Sequence, residues 1–270
     1  MELRLESVSF DYPAGPRALD AVDLVVRGGE TVAVIGANGS GKTTLLRHLN
    51  GLLRPAAGRV LLDGADGSSM TVARMAMCVG LAFQDPDGQI FAARVSEEVG
   101  FGARNAGASG RHLEAIVAQA LDDVGLRGSL DTHPGDLGTS ARKLLTIAAV
   151  LAMRTPIVAL DEPTVGLDAS AMARIETLIR SLAAEGRSVL AVSHDLRFVA
   201  ETFSRVVLLD GGRVALDGPP NEVFDEAHWP RLWASGLEPP PAARLGARLG
   251  LGSTPTDAAL LVAWQRTSGV

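Results

Sequence analysis

The sequence predicts an α/β fold in which a parallel-sheet core carries antiparallel strands at its N-terminal end, an inserted helical subdomain and a small C-terminal appendage. Three observations point to it. The runs "TVAVI", "PIVAL" and "SVLAV" are short, continuous and apolar, as strands buried on both faces of a parallel sheet must be. Helical patterns alternate with these runs in the order of βαβ units. From about residue 92 to residue 153 the texture is helical throughout, which inserts a block of helices between strands.

Taken in order, "ELRLESVSFDY" reads as an opening strand, and "LDAVDLVVRGGETVAVIGA" as two more around the turn Gly28-Gly29. "KTTLLRHLNGLLRP" has helical spacing, with Leu45, Leu46, Leu49 and Leu52 on one side and Pro55 beyond its end. "GRVLLDG" is a strand and turn. Three helices come next in "SEEVGFGARNAG", "RHLEAIVAQALDDVG" and "SARKLLTIAAVLAM", the first starting at Ser96 with Glu97 and Glu98 in its first turn. After them stand the strand "PIVALDEP", the helix "ASAMARIETLIRSLAAEG", the strand "SVLAVSHD", a short helix and the hairpin "RVVLLDGGRVALDG". Beyond Gly218 the pattern changes, and "GLEPPPAARLGARLGLG" is rich in Pro and Gly, which predicts an extended connector with one short helix. "TPTDAALLVAWQR" then reads as a final helix with Thr254 as N-cap, Pro255 at its first position and Asp257 in its first turn. Leu260 and Trp264 give that helix one apolar face, which either packs back on the domain or binds a partner.

Composition narrows the class. At 270 residues, 47% apolar and 21% charged, the chain suits one large folded domain with an appendage. A net charge of −6 argues against a nucleic-acid-binding surface, which needs clustered Lys and Arg. The single cysteine, Cys78, excludes an internal disulfide, fits a reducing cytoplasm and reads as a small core residue. No apolar run reaches the roughly 18 residues of a membrane span. The N-terminus lacks a signal peptide's apolar stretch. A membrane is therefore expected to be reached only through another protein.

Two stretches carry chemistry. "GANGSGKTT" (Gly36, Ala37, Asn38, Gly39, Ser40, Gly41, Lys42, Thr43 and Thr44) matches G-x-x-x-x-G-K-S/T between a buried strand and a helix. Its glycines let backbone N–H groups wrap a polyphosphate, and the helix adds its positive N-terminal end. Lys42 is expected to reach the β- and γ-phosphates, and Thr43 to ligate Mg²⁺. "PIVALDEP" supplies the counterpart. Asp161 at the end of its apolar strand is expected to hold Mg²⁺, directly or through water, and Glu162 to polarise an attacking water. His194 in "LAVSHD" succeeds another buried strand and is a candidate γ-phosphate contact or water orienter. Gln84 in "LAFQDPDGQIF" is a further candidate at the metal or the water. The expectation is a P-loop NTPase of the RecA-like type, with ATP and Mg²⁺ as its ligands.

Together these residues resemble the ATP-binding-cassette (ABC) family over nearly all of residues 1–220. The resemblance implies that Tyr12 stacks on adenine and that Gln84 links the site to a membrane partner. It makes Asp161 and Glu162 the metal-binding and catalytic acids, Asp168 in "GLD" a residue crossing a dimer interface, and His194 a switch histidine. "FQDPDGQIFAARVSEEVGFG", with its acid-x-Gln-x-Phe segment, and "LEPPPAARLGARLGLG" are similar to energy-coupling-factor and cobalt-type ATPase subunits. That similarity implies an importer of vitamins or transition-metal ions, with this chain peripheral at the cytoplasmic face of the membrane. Its partners would be a second ATPase subunit, a transmembrane coupling protein and a membrane substrate-binding protein, with no nucleic acid. Residues 1–218 would be the ATP-binding domain, with its helical subdomain at about 92–153, and 219–270 the appendage.

One motif departs from the family. Where it holds Leu-Ser-Gly-Gly-Gln, this chain has "LGTSA": Gly138 replaces the serine, Thr139 and Ser140 the glycines, and Ala141 the glutamine. Leu144 also stands where an arginine is common. In the family this segment covers the ATP held by the other subunit, donating a hydroxyl and backbone N–H groups to the γ-phosphate at a helix N-terminus. Loss of the hydroxyl and the added Cβ atoms predict a poorly completed partner site, with Arg142 and Lys143 offsetting some lost attraction. The expectation is an asymmetric heterodimer. The alternatives are an ATP-binding structural or regulatory subunit with little hydrolysis, and an ABC ATPase of another transporter class.

Overall fold

The computed structural model describes residues 1–13 and 15–268. It opens with β1 (Leu3–Asp11), β2 (Arg17–Val26) and β3 (Thr31–Ile35), then α1 (Lys42–Leu49), β4 (Ala57–Leu62), β5 (Ala65–Asp66), α2 (Val72–Ala76) and β6 (Val79–Ala82). The helical block is α3 (Val95–Asn105), α4 (Gly110–Asp123) and α5 (Thr139–Ala152). Then come β7 (Ile157–Asp161), α6 (Ala169–Ala184), β8 (Ser188–Val192), α7 (Leu196–Thr202), β9 (Arg205–Asp210) and β10 (Arg213–Gly218). The remainder is helical: α8 (Pro220–Val223), α9 (Trp229–Ala234), α10 (Pro241–Arg248) and α11 (Asp257–Ser268).

Two sheets result. β2-β1-β4-β5 is antiparallel, and β10-β9-β3-β8-β7-β6 is parallel except for its terminal hairpin strand β10. The three predicted continuous apolar runs, in β3, β7 and β8, are fully buried neighbours. Strand alternation divides each between two cores. Val32 and Val34 of β3 join Leu3, Leu5, Leu45 and Leu49 between the sheets, whereas Ala33 and Ile35 face Leu145, Ile175 and Phe198 under the helices.

Register brings three strand ends to one place. Val34 pairs with Val192, and Val192 with Asp161, so β3, β8 and β7 end on one level. Open parallel sheets bind ligands at the carboxyl ends of their strands.

Several expectations shift. α1 stops at Leu49 because Gly51 adopts a left-handed φ of +77°, so Leu52 lies beyond the helix and is 46% exposed. Ser96 is inside α3, whose N-cap is Arg94. Thr254 does not cap α11: it is buried and donates its hydroxyl to the Ala242 carbonyl at 2.9 Å, while Thr256 Oγ1 accepts the Ala259 N–H at 3.0 Å. The Pro- and Gly-rich stretch at 236–252 holds one short helix, α10, as expected, and α8 and α9 precede it. Their Val223, Phe224, Trp229 and Leu232 are buried in the same core as α6 and α7. α11 buries no residue, and Leu261, Val262 and Trp264 are exposed.

His48 on α1 is 1% exposed, with Nδ1 2.8 Å from the Thr44 carbonyl and its ring edge-on to Phe10. Burial holds the imidazole below its ordinary 6.5. The depressed folded value means that below about pH 6.5 the unfolded chain takes up a proton the folded chain refuses, so stability present above that pH is lost as pH falls. Thermal melts from pH 7.5 to pH 5 are expected to show a falling Tm whose slope is smaller in His48→Gln.

Candidate active site

Residues 36–44 connect β3 to α1. Gly36, Gly39 and Gly41 have φ of +154°, +80° and +102°. At Gly41 a Cβ would run into the Ala18 carbonyl, and at Gly36 into the Leu209 carbonyl. No other residue fits this course of the chain. Gly41→Ala is therefore expected to destabilise the fold by about 1–3 kcal/mol and to weaken nucleotide binding. Thermal melting and a fluorescent-nucleotide titration check both.

Inside the loop Lys42 Nζ donates to the carbonyls of Gly36 and Ala37, each at 2.8 Å. Burial pulls this ammonium down, with Glu162 and Asp161 opposing. Thr43 Oγ1 donates to Asp161 Oδ2 at 2.9 Å, which joins the loop to the end of β7. Asp161 Oδ1 is buried without a hydrogen-bond partner. An orphaned carboxylate oxygen beside a threonine hydroxyl is a hard-oxygen pair of the kind Mg²⁺ takes together with phosphate and water, so these residues fit that ion. Among the described residues no three or more His, Cys, Asp and Glu side chains cluster to hold a metal. Here the phosphates would have to complete any coordination.

Glu162 comes next, with φ +50°, a left-handed backbone on a non-glycine residue. Its amide donates to the Val192 carbonyl at 3.0 Å, and its Oε2 accepts the His194 N–H at 3.2 Å. The His194 ring Nε2 stands 3.2 Å from Oε1 but without hydrogen-bond alignment, since Oε1 has no partner. Burial pushes the Asp161 and Glu162 carboxyls up, against the Thr43 hydroxyl on the first and the His194 amide on the second. Burial, and after it Lys42, lowers His194. The result is a carboxylate with raised proton affinity beside a neutral imidazole.

These groups line one cleft of about 540 Å³ together with Tyr12, Asn38, Thr44 and Gln84. Tyr12 is half-exposed at its mouth, bonded through its hydroxyl to Thr44 Oγ1 at 3.2 Å and braced edge-on by Phe10. Ser40 is buried in the loop's own turn. A larger groove, of about 850 Å³ between α4 and α6, contains none of these residues.

Gly138, Thr139, Ser140, Ala141 and Asp168 do not line the cleft. Gly138 caps α5 without a side-chain bond, and it and Thr139 are exposed. Asp168 caps α6, accepting the Ala171 N–H at 2.8 Å. The neighbouring cations are placed differently from expectation. Arg142 pairs with Asp87 at 3.2 Å, and Lys143 points inward, 3% exposed, against this chain's own acids. Burial pulls the Lys143 ammonium down to about 8, with Asp161, Glu162 and Asp85 opposing. Helical spacing was the signal for it, because Lys143 shares a stripe with Ile147 and Val150. Gln89 is also engaged within the chain, accepting the Phe83 N–H at 3.0 Å.

A nucleotide-binding ATPase cassette is the class that this fold and cleft define. The ABC transporter family model matches residues 19–165. The energy-coupling factor transporter ATP-binding protein EcfA1 of Symbiobacterium thermophilum is 43% identical over 248 residues, 90% of this chain and 85% of the relative. The structure of cbiO1 from Clostridium perfringens, part of the ABC transporter complex cbiONQ, superposes with a TM-score of 0.76 at 31% identity, over 92% of this chain and 98% of that one. The dimeric cassette MJ0796, bound to ADP and Pi, gives 0.75 at 25% identity over 80% and 98%. Against two longer curated relatives the chain spans 40% and 43% of their length. The chain belongs to the ABC transporter family and is an ATPase, binding and hydrolysing ATP. Among its described residues no helix is long and apolar enough to cross a membrane.

Proposed function

We propose that this chain is the ATPase subunit of an energy-coupling-factor-type importer and that it pairs with a non-identical cassette. One observation carries the reading. The phosphate loop, both acids and His194 converge in one cleft, whereas the helix start at residues 138–141 stands apart, with no glycine pair and no serine at its cap. This chain is thus equipped to work on its own nucleotide and poorly equipped to complete its partner's.

In this reading residues 1–218 are the ATP-binding unit, with the helical subdomain at about 92–153, and 219–270 the appendage. Tyr12 stacks on adenine, while residues 36–42 hold the phosphates. Mg²⁺, when bound through Thr43, Asp161 and Gln84, would neutralise phosphate charge. Glu162 polarises a water for in-line attack on the γ-phosphorus. The bond to the β-phosphate oxygen breaks, ADP departs, and the proton of the water passes to the carboxylate. His194, adjoining Glu162, orients the water or the γ-phosphate. Gly138, Thr139, Ser140, Ala141 and Asp168 face the partner cassette. Phe91, 65% exposed, and Phe101 meet edge to face at 4.8 Å beside the loop of Gln84, an apolar seat for a cytoplasmic helix of a transmembrane coupling protein. Contact with the membrane, at its cytoplasmic face, then runs through that protein and a substrate-binding membrane protein.

The test compares the purified chain with the chain plus a cassette bearing Leu-Ser-Gly-Gly-Gln. Slow hydrolysis alone and rapid hydrolysis by the pair are expected. Rapid hydrolysis by the chain as a homodimer overturns the asymmetric reading.

A further inference from the structure

Lys143 Nζ donates to three backbone carbonyls, those of Phe83 at 3.1 Å, Gln84 at 2.7 Å and Asp161 at 3.1 Å. All three N–H donors of the ammonium are used, and none goes to a carboxylate. The acceptors lie at the end of β7 and just past the end of its neighbour β6. The last paired residues of β6 and β7 are Ala82 and Leu160, so the backbone beyond them has no ladder partner between the two strands. Lys143 closes that gap. It does so from α5, whose cap Gly138 lies little more than one turn earlier. The Arg142–Asp87 pair ties the same helix to the same loop.

We propose that Lys143 is a positioning residue that fastens the Gln84 loop and the β7 acids to the helix whose start covers the partner's nucleotide. The inference rests on the two-site reading of the function. A buried ammonium is costly unless its hydrogen bonds are complete, and here each bond fixes a peptide next to a functional side chain. The Gln84 peptide directs the Gln84 amide. The Asp161 carbonyl belongs to the peptide that leads into Glu162, whose backbone is left-handed. A shift of α5 as the partner's nucleotide engages is therefore transmitted through one side chain to this chain's own acids, so the two ATP sites sense each other within a single subunit.

The test uses Lys143→Met, which removes every donor, and Lys143→Gln, which keeps two. Hydrogen exchange on the full chain is expected to quicken at residues 83–89 and 161–165 and to stay unchanged in the rest of α3, α4 and α5. In the assembled complex kcat is expected to fall about 10- to 100-fold in Lys143→Met, as misplacement by an ångström can do, with a smaller loss in Lys143→Gln. KM for ATP is expected to change less than about twofold, because the phosphate loop is untouched. An unchanged kcat in Lys143→Met overturns the proposal. So does faster exchange spread over all three helices, the mark of a merely structural lysine. If Lys143→Met does not fold, Lys143→Gln carries both measurements. Failure of the two-site reading is distinguishable: Glu162→Gln would leave turnover intact, while exchange would still report on the Lys143 tie.

Discussion

Glu162→Gln is expected to cut ATP turnover of the assembled complex by about 10²–10⁴-fold, the range that a positioned general base contributes. Nucleotide binding should survive, because Lys42, the loop carbonyls it holds and Tyr12 are untouched by the change. The fold should survive as well. The amide of residue 162 would still donate to Val192, and the glutamine oxygen can still accept the His194 N–H. Phosphate release and a fluorescent-nucleotide titration on one preparation separate the two effects. Turnover and transport within about twofold of the parent would instead favour an ATP clamp with little hydrolysis of its own.

Rebuilding the helix start should work in the opposite direction and in the other site. Gly138→Ser with Thr139→Gly and Ser140→Gly restores a hydroxyl donor and two backbone N–H groups free of Cβ atoms. A homodimer of this variant is expected to hydrolyse ATP about 10²–10³-fold faster than a homodimer of the parent, the cost usually attached to one lost donor at a developing charge. Two glycines in the first turn of α5 would lower stability by about 1–2 kcal/mol, so the gain should come with a lower Tm. A dimeric variant with no gain in rate would show that the segment does not limit the partner's site.

The candidate active-site cleft is largely legible in the sequence because its parts are local. The glycine positions of residues 36–44 come from backbone demands that no other residue meets. Asp161, Glu162 and His194 stand at the ends of runs whose burial can be read directly. Lys143 is not legible in this way, for a physical reason. Its neighbours Arg142 and Thr139 belong to the open end of α5, and a cation beside them looks outward-facing. Its helical stripe with Ile147 and Val150 is the one signal, and the packing of that helix against β6 and β7 is what turns position 143 inward. The tail behaves similarly. Nothing in the local pattern of residues 219–235 marks α8 and α9, which form because Phe224, Trp229 and Leu232 have an apolar surface to cover. Thr254 has the right chemistry for a cap two residues too early, and it bonds to α10 instead.

The backbone at Glu162 has a consequence for how such a subunit drifts. A left-handed conformation is one a glycine would occupy at less steric cost, so the acid sits where the fold alone would favour its replacement. A lineage released from hydrolysis would have a stabilising exit one substitution away. Under the role proposed for Glu162, keeping glutamate at a strained position is a record of use, written in conformational preference. The altered residues at 138–141 carry no comparable strain. On the proposed two-site reading, the two halves of the chain's chemistry are therefore exposed to mutation on unequal terms, with the half assigned to hydrolysis held in place against the grain of the fold.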